Sequence, residues 1–164
     1  MITKSKTRIE KNADNKKIIV TKSFDADVQQ VWDAWTTNEK LDKWWAPNPW
    51  RAVTQKMDFK EDGYWLYKMA GPKGEVQWAK MDFNKIEAPN YFTATDSFTD
   101  ESGARSISMP TMQWKNSFTE QDGATQLRVE INFNKKEDME KILKTGFEKG
   151  FSAALDNLEE LLAH

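Results

Sequence analysis

The chain has no cysteine and one histidine, His164, which is its last residue. Without thiols there is no disulfide, no cysteine nucleophile and no cysteine metal site. Without an internal histidine, ordinary catalytic triads and histidine-based zinc sites are disfavoured. No apolar run approaches transmembrane length, and the polar start MITKSKTRIEKN is not a signal peptide. The expectation is a cytoplasmic protein with no membrane span. A Gly-rich phosphate loop is missing, so nucleotide binding is not expected. The formal net charge is −2, and the basic residues form no stripe with interleaved aromatics. That argues against nucleic acid as a partner. Asp58, Glu61 and Asp62, and also Asp96, Asp100 and Glu101, gather near turns without calcium-loop spacing. Both groups read as solvated turns. No cofactor and no metal are expected.

What the chain has in excess is aromatic surface. It carries eight tryptophans, and aromatics make up 12% of the residues. Such side chains build either a dense core or the wall of a cavity. At 164 residues, with no Pro/Gly/Ser linker and no internal repeat, a single domain over 1–164 is expected. Residues 1–5 read as flexible.

The most regular stretch is the last, Asn134 to Leu162. Met139, Ile142, Leu143, Phe147, Phe151, Ala154, Leu155, Leu158, Leu161 and Leu162 recur at helical spacing. Asn134 and Glu137 have capping-box spacing. The pattern predicts one uninterrupted helix about 40 Å long. Gly146 and Gly150 lie within it and cost about 2 kcal/mol of helix propensity together. Their purpose is either close packing or space for a ligand.

The rest of the chain reads as strands and two short helices. Lys6–Lys11 and Lys16–Phe24 are expected strands. A helix starting at Asp25 or Ala26 should run through Trp35, with Val28, Val31, Trp32 and Trp35 on its apolar side. A second should cover Thr37–Trp45, with Thr36 and Glu39 as its capping box and Pro47 and Pro49 as its stop. Strands are expected at Trp50–Lys60, Tyr64–Ala70, Glu75–Glu87, Tyr91–Thr99, Thr111–Thr119 and Thr125–Phe133. The longest irregular stretch is Asp100–Pro110. In the last strand Leu127, Val129, Ile131 and Phe133 alternate with Gln126, Arg128, Glu130 and Asn132, the pattern of an antiparallel sheet with one buried face. The fold class is α+β: a curved antiparallel sheet gripping a long C-terminal helix, with two short helices after the first strands.

Four segments, in this order, resemble the START-like (SRPBCC) superfamily, and within it the activator of Hsp90 ATPase homologue 1-like family. FDADVQQVWDAWTTNEKLDKWWAP is similar to the family's opening helices and Trp-Trp-Gly-Pro signature, with Trp44, Trp45 and Pro47 in register. MDFKEDGYW resembles its Asp-x-x-x-Gly-Gly hairpin, KIEAPNYF its Glu-Ile-x-Pro-Pro-Glu-Arg-Leu turn, and TGFEKGFSAALDNLEELLA its final helix. The likeness spans roughly Thr7 to Ala163. Ala46, Tyr64 and Met81 stand where the family often has glycine, and Met81 would narrow a cavity. The resemblance implies the helix-grip (START-like, Bet v 1-like) fold, with a cavity between sheet and helix.

On that basis the candidate ligand-binding residues are Trp44, Trp45, Trp65, Trp78, Met81, Met112, Trp114, Asn116, Phe147, Gly150 and Phe151. Met112, Trp114, Asn116 and Phe118 share one strand phase, which would set one amide among apolar walls. In the strand Val76–Ile86, the phase of Ala79, Met81 and Phe83 is favoured as the inner one. The opposite phase would bury Lys80 and Asp82. The cavity mouth is expected near Asp100–Pro110.

Three functions compete. The first is a domain that binds a small apolar or amphipathic molecule. The second is an enzyme similar to the polyketide cyclases, with Lys80/Asp82 or Tyr64/Tyr67 as acid and base. The third is a protein-interaction module like the Hsp90 activator domain. The missing internal histidine weighs against the second, so the balance leans away from an enzyme. The resemblance covers one domain of a two-domain activator, so stimulation of an Hsp90-type ATPase is not expected. Fold likeness alone assigns no activity.

Overall fold

A computed structural model describes residues 6–163. The leader 1–5, expected to be flexible, lies outside them. The strands are β1 (Arg8–Asn12), β2 (Lys17–Phe24), β3 (Arg51–Met57), β4 (Tyr64–Ala70), β5 (Val76–Glu87), β6 (Tyr91–Thr99), β7 (Met112–Gln121) and β8 (Ala124–Asn132). The helices are α1 (Val28–Thr36), α2 (Asn38–Trp44), α3 (Lys136–Leu143) and α4 (Phe147–Leu162). The strands form one antiparallel sheet in the order β1-β2-β8-β7-β6-β5-β4-β3. The two helices that follow β2 carry the chain from one side of the sheet to the other.

Alternation explains the buried face. Leu127, Val129 and Ile131 of β8 are fully buried and Phe133 nearly so, while Arg128 between them is exposed. In β5 the inner residues are Ala79, Met81 and Phe83. Lys80 and Asp82 pair at 3.3 Å on the outer face, where water reaches both. Keeping that pair outside avoids the desolvation cost of a buried ion pair.

The helix starts follow local chemistry more closely than the sequence pattern suggested. Helix α1 is capped by Asp27, two residues after the earliest expected start. Asp27 accepts from the Gln30 N–H, and the Gln30 side chain accepts from the Asp27 N–H. The Thr36/Glu39 box does not form. Thr36 and Thr37 donate back to the carbonyls of Trp32 and Asp33 instead, and Thr37 caps α2 through its backbone alone. The other expected box, Asn134/Glu137, is also absent, because α3 begins after Lys135.

The largest correction concerns the final helix. It is two helices, broken at Thr145–Gly146. Gly146 has φ 86°, a left-handed conformation that costs glycine nothing and other residues much. Its N–H reaches back to the Leu143 carbonyl, and the Thr145 hydroxyl donates to the Ile142 carbonyl. The Thr-Gly pair therefore closes α3, and Gly146 starts α4 in a new direction. Helix α4 spans 16 residues, which makes it about 24 Å long.

Helix α4 rests mainly on α1 and α2, and its backbone comes less close to any strand. Ala154, Leu155 and Leu158 anchor it and are all but fully buried. Lys22 of β2 adds a buried ion pair to Glu159 at 3.4 Å. Truncating Leu155 to alanine should lower unfolding free energy by about 2–5 kcal/mol, measured by chemical denaturation. A midpoint equal to wild type would show that Leu155 is not an anchor.

Candidate functional site

Between the inner face of β4–β7 and the first half of α4 lies a cavity of about 490 Å³. Its buried wall comes from Trp45 after α2, Tyr67 of β4, Asp96 of β6, Met112 and Trp114 of β7, and Phe151 of α4. Phe147 and Gly150 complete the helix side. The lining residues that water reaches most are Gln77, Thr145 and Gly146. Met109 adds a half-buried side chain from the Asp100–Pro110 stretch. The open side therefore lies between the start of β5 and the helix break, and the irregular stretch expected there contributes Met109.

Six of the residues named from sequence meet at this cavity: Trp45, Met112, Trp114, Phe147, Gly150 and Phe151. The other five do not line it. Trp44 is buried in the solid core, where its indole N–H donates to the Ala34 carbonyl at 2.8 Å. Trp65 lies behind the wall, stacked on Tyr67 with centroids 3.9 Å apart, and donates to the Thr54 hydroxyl. Trp78 is on the outer face of β5, under the Lys68 ammonium. Met81 is buried beside Asp96 in the ladder but does not narrow the space. Asn116 lies farther along β7, fully buried, and neither amide atom has a hydrogen-bond partner. Two residues later, in the same phase, Phe118 meets Trp32 and Trp35 of α1, so this end of the strand is filled by core.

Gly150 has room around it. A Cβ added there would meet only the Pro47 ring, at 3.9 Å, which is ordinary contact. Close packing does not demand this glycine. Its missing side chain leaves space between Pro47 and the cavity.

Asp96 is the residue that sequence reasoning missed. It was grouped with Asp100 and Glu101 as a solvated turn. Asp100 fits that description: it is exposed and accepts from the backbone and hydroxyl of Ser102 and the N–H of Ala104, which hold its carboxyl below the usual range. Asp96 does not. It is 7% exposed and, among the described residues, is the only acidic residue in the lining, where no Lys, Arg or His is present. The signal was there in β6, where Phe92, Ala94, Asp96 and Phe98 share one strand phase.

Burial pushes the Asp96 carboxyl up to about 7. The Ser97 N–H and then the Trp114 indole N–H pull the other way, the latter without the alignment of a complete hydrogen bond. Tyr67 shares this corner. Its hydroxyl accepts from the Trp45 indole N–H at 2.9 Å. Burial, and next the nearby Asp96 charge, raise the phenol well above its ordinary value. The result is an aromatic chamber with one polar corner. Tyr64, the other tyrosine considered from sequence, lies outside it, beneath Lys80.

This architecture is the helix-grip class of the START-like superfamily. The model of the family described as "Activator of Hsp90 ATPase homolog 1-like protein" matches residues 25–163, and the chain belongs to that family. Among solved structures it is similar to protein Ms6760 from Mycobacterium smegmatis, with 26% identity and a TM-score of 0.89 over 95% of this chain and 96% of that one. It is also similar to a protein from Arthrobacter aurescens, with 28% identity and a TM-score of 0.90 over 95% and 91% of the two chains. CalU16 from Micromonospora echinospora shares the fold at 18% identity and a TM-score of 0.62, over 98% of this chain and 87% of that one. No curated protein matches the chain. Among the described residues no helix is long and apolar enough to cross a membrane.

The Asp96 shift has a consequence for stability. Its value rises from 3.8 to about 7 on folding, so the folded protein holds a proton that the unfolded chain releases between those values. Stability is therefore lost as pH rises from about 4 through about 7. Asp96→Asn removes that loss. Its advantage over wild type should grow by about 3 kcal/mol between about pH 5 and about pH 8 in denaturant titrations. A gap that stays flat with pH would mean that the carboxyl is solvated.

Proposed function

We propose that the protein binds a small amphipathic molecule in the cavity between the sheet and α4, acting in the cytoplasm as one START-like domain over 1–164. The observation that carries this reading is a cavity of about 490 Å³ with aromatic walls and one buried carboxyl. Ligand pockets commonly fall between about 300 and 1,000 Å³ and combine apolar walls with a few placed polar groups. Gly150 supports the reading as well, since an alanine there would be better for the helix and would fit.

One observation favours a second reading, acid–base chemistry on a bound substrate. Asp96 titrates near neutrality beside a tyrosine hydroxyl, as a general base or acid would. The pair Lys80/Asp82 is on the outer face and has no part in it. Binding is common to both readings and is tested first.

The uncharged dye N-phenyl-naphthylamine should bind wild type and quench tryptophan fluorescence. Gly150→Leu should weaken dye binding by about tenfold or more, while thermal unfolding stays at or above the wild-type temperature. A variant that unfolds, together with a wild type that binds no dye, would identify the aromatic residues as ordinary core.

A further inference from the structure

The charge pattern of the cavity narrows the class of ligand. This step rests on the binding reading above. Among the described residues the lining contains one carboxyl, from Asp96, and no cationic side chain. No ion pair involving Asp96 forms among the described residues, and no positive neighbour offsets its burial. Tyr67 and Trp114 are its aromatic neighbours, and Trp45 and Phe151 line the same cavity. The Trp45 ring lies 6.4 Å from Tyr67, 5.9 Å from Trp114 and 6.0 Å from Phe151, measured between centroids. Trp114 and Phe151 meet edge to face at 5.5 Å.

Aromatic rings around a carboxylate attract an organic cation through the ring quadrupoles and through direct charge pairing. The same surroundings repel a carboxylate or phosphate, which would find a like charge and no basic partner. An uncharged ligand leaves Asp96 buried and unpaired, so it either keeps the carboxyl protonated or bears the cost of its charge. We propose that the ligand is a hydrophobic amine: a protonated nitrogen placed against Asp96 and Tyr67, with its apolar body along Trp114, Phe147 and Phe151.

The other groups around Asp96 do not compete for this role. From β4, Tyr67 is the one titratable neighbour, and its phenol stays protonated at neutral pH. From β5 the paired residue is Met81, and from β7 it is Met112, with the Trp114 indole N–H nearby. Helix α4 presents Phe147, Gly150 and Phe151 to the cavity. The nearest charges on β5, Lys80 and Asp82, are on the opposite face of the sheet and pair with each other. Binding the cation requires the ionised carboxylate, so amine affinity should rise with pH up to about 7 and then level off.

The test is calorimetric titration of wild type and Asp96→Asn with naphthylmethylamine, naphthylmethanol and naphthoate at about pH 8. The amine should bind about tenfold more tightly than the alcohol, and naphthoate should bind most weakly. Asp96→Asn should abolish the advantage of the amine over the alcohol. Should that variant not fold, wild-type pH dependence serves instead: the advantage of the amine over the alcohol shrinks as pH falls below about 7. Alcohol or naphthoate binding as tight as the amine would overturn the assignment, as would an amine affinity indifferent to both pH and the substitution. If the uncharged dye binds and none of these three compounds does, the amine assignment fails and the cavity reading stands. If the dye does not bind either, the cavity reading itself fails and the assignment with it.

Discussion

Trp45 is the point at which core and cavity divide. One side of its indole meets Trp35 and Trp44, edge to face, at 5.6 and 5.3 Å. The other side meets Trp114 and Phe151, and both of those line the cavity. Its N–H is tied to the Tyr67 hydroxyl, which fixes the ring against β4. Each such aromatic contact adds about 0.5–1.5 kcal/mol beyond simple burial. Together they form a rigid wedge after α2 that supports α4 near its start. The anchors of α4, Ala154, Leu155 and Leu158, are deeply buried and lie one to two turns farther on. The helix is thus packed at its far end and propped at its near end, and the space between the prop and the sheet is the cavity.

The helix break belongs to the same device. The left-handed Gly146 lets α4 set off in another direction, with Phe147 and Phe151 stacked 5.5 Å apart on the cavity side. Asp96 then stands out as a group that packing alone would not select. An apolar residue in its place would bury more easily at neutral pH. A carboxyl kept at such a position is the usual mark of a site where function and stability pull apart.

Much of the fold was legible in the sequence because strands announce themselves by alternation. Tyr64–Ala70 and Tyr91–Thr99 were read with the bounds they have, and the inner phase of β5 followed from the cost of burying Lys80 and Asp82. The helix break was not legible, because Thr145-Gly146 fits a helical pattern until its backbone conformation is known. Nor could sequence divide the tryptophans. Trp44 and Trp45 are neighbours at a helix end, pointing about 100° apart, and only the packed structure shows which one meets the cavity. Trp114 and Asn116 share a strand phase, yet α1 covers the end of β7 where Asn116 sits and leaves Trp114 free to line the space. Asp96 was readable in principle. A preference for acidic residues in turns outweighed an alternation that placed it among Phe92, Ala94 and Phe98.

The central claim is spatial: Trp45, Trp50 and Trp114 border the cavity, and Trp44, Trp65 and Trp78 do not. Indole N–H resonances report this directly, since each tryptophan gives its own signal. On titration with N-phenyl-naphthylamine, the signals of Trp45, Trp50 and Trp114 should shift, with those of Trp44, Trp65 and Trp78 far less affected. Shifts centred on Trp44 or Trp78, with Trp45 and Trp114 unmoved by a dye that binds, would place the site elsewhere and contradict the account.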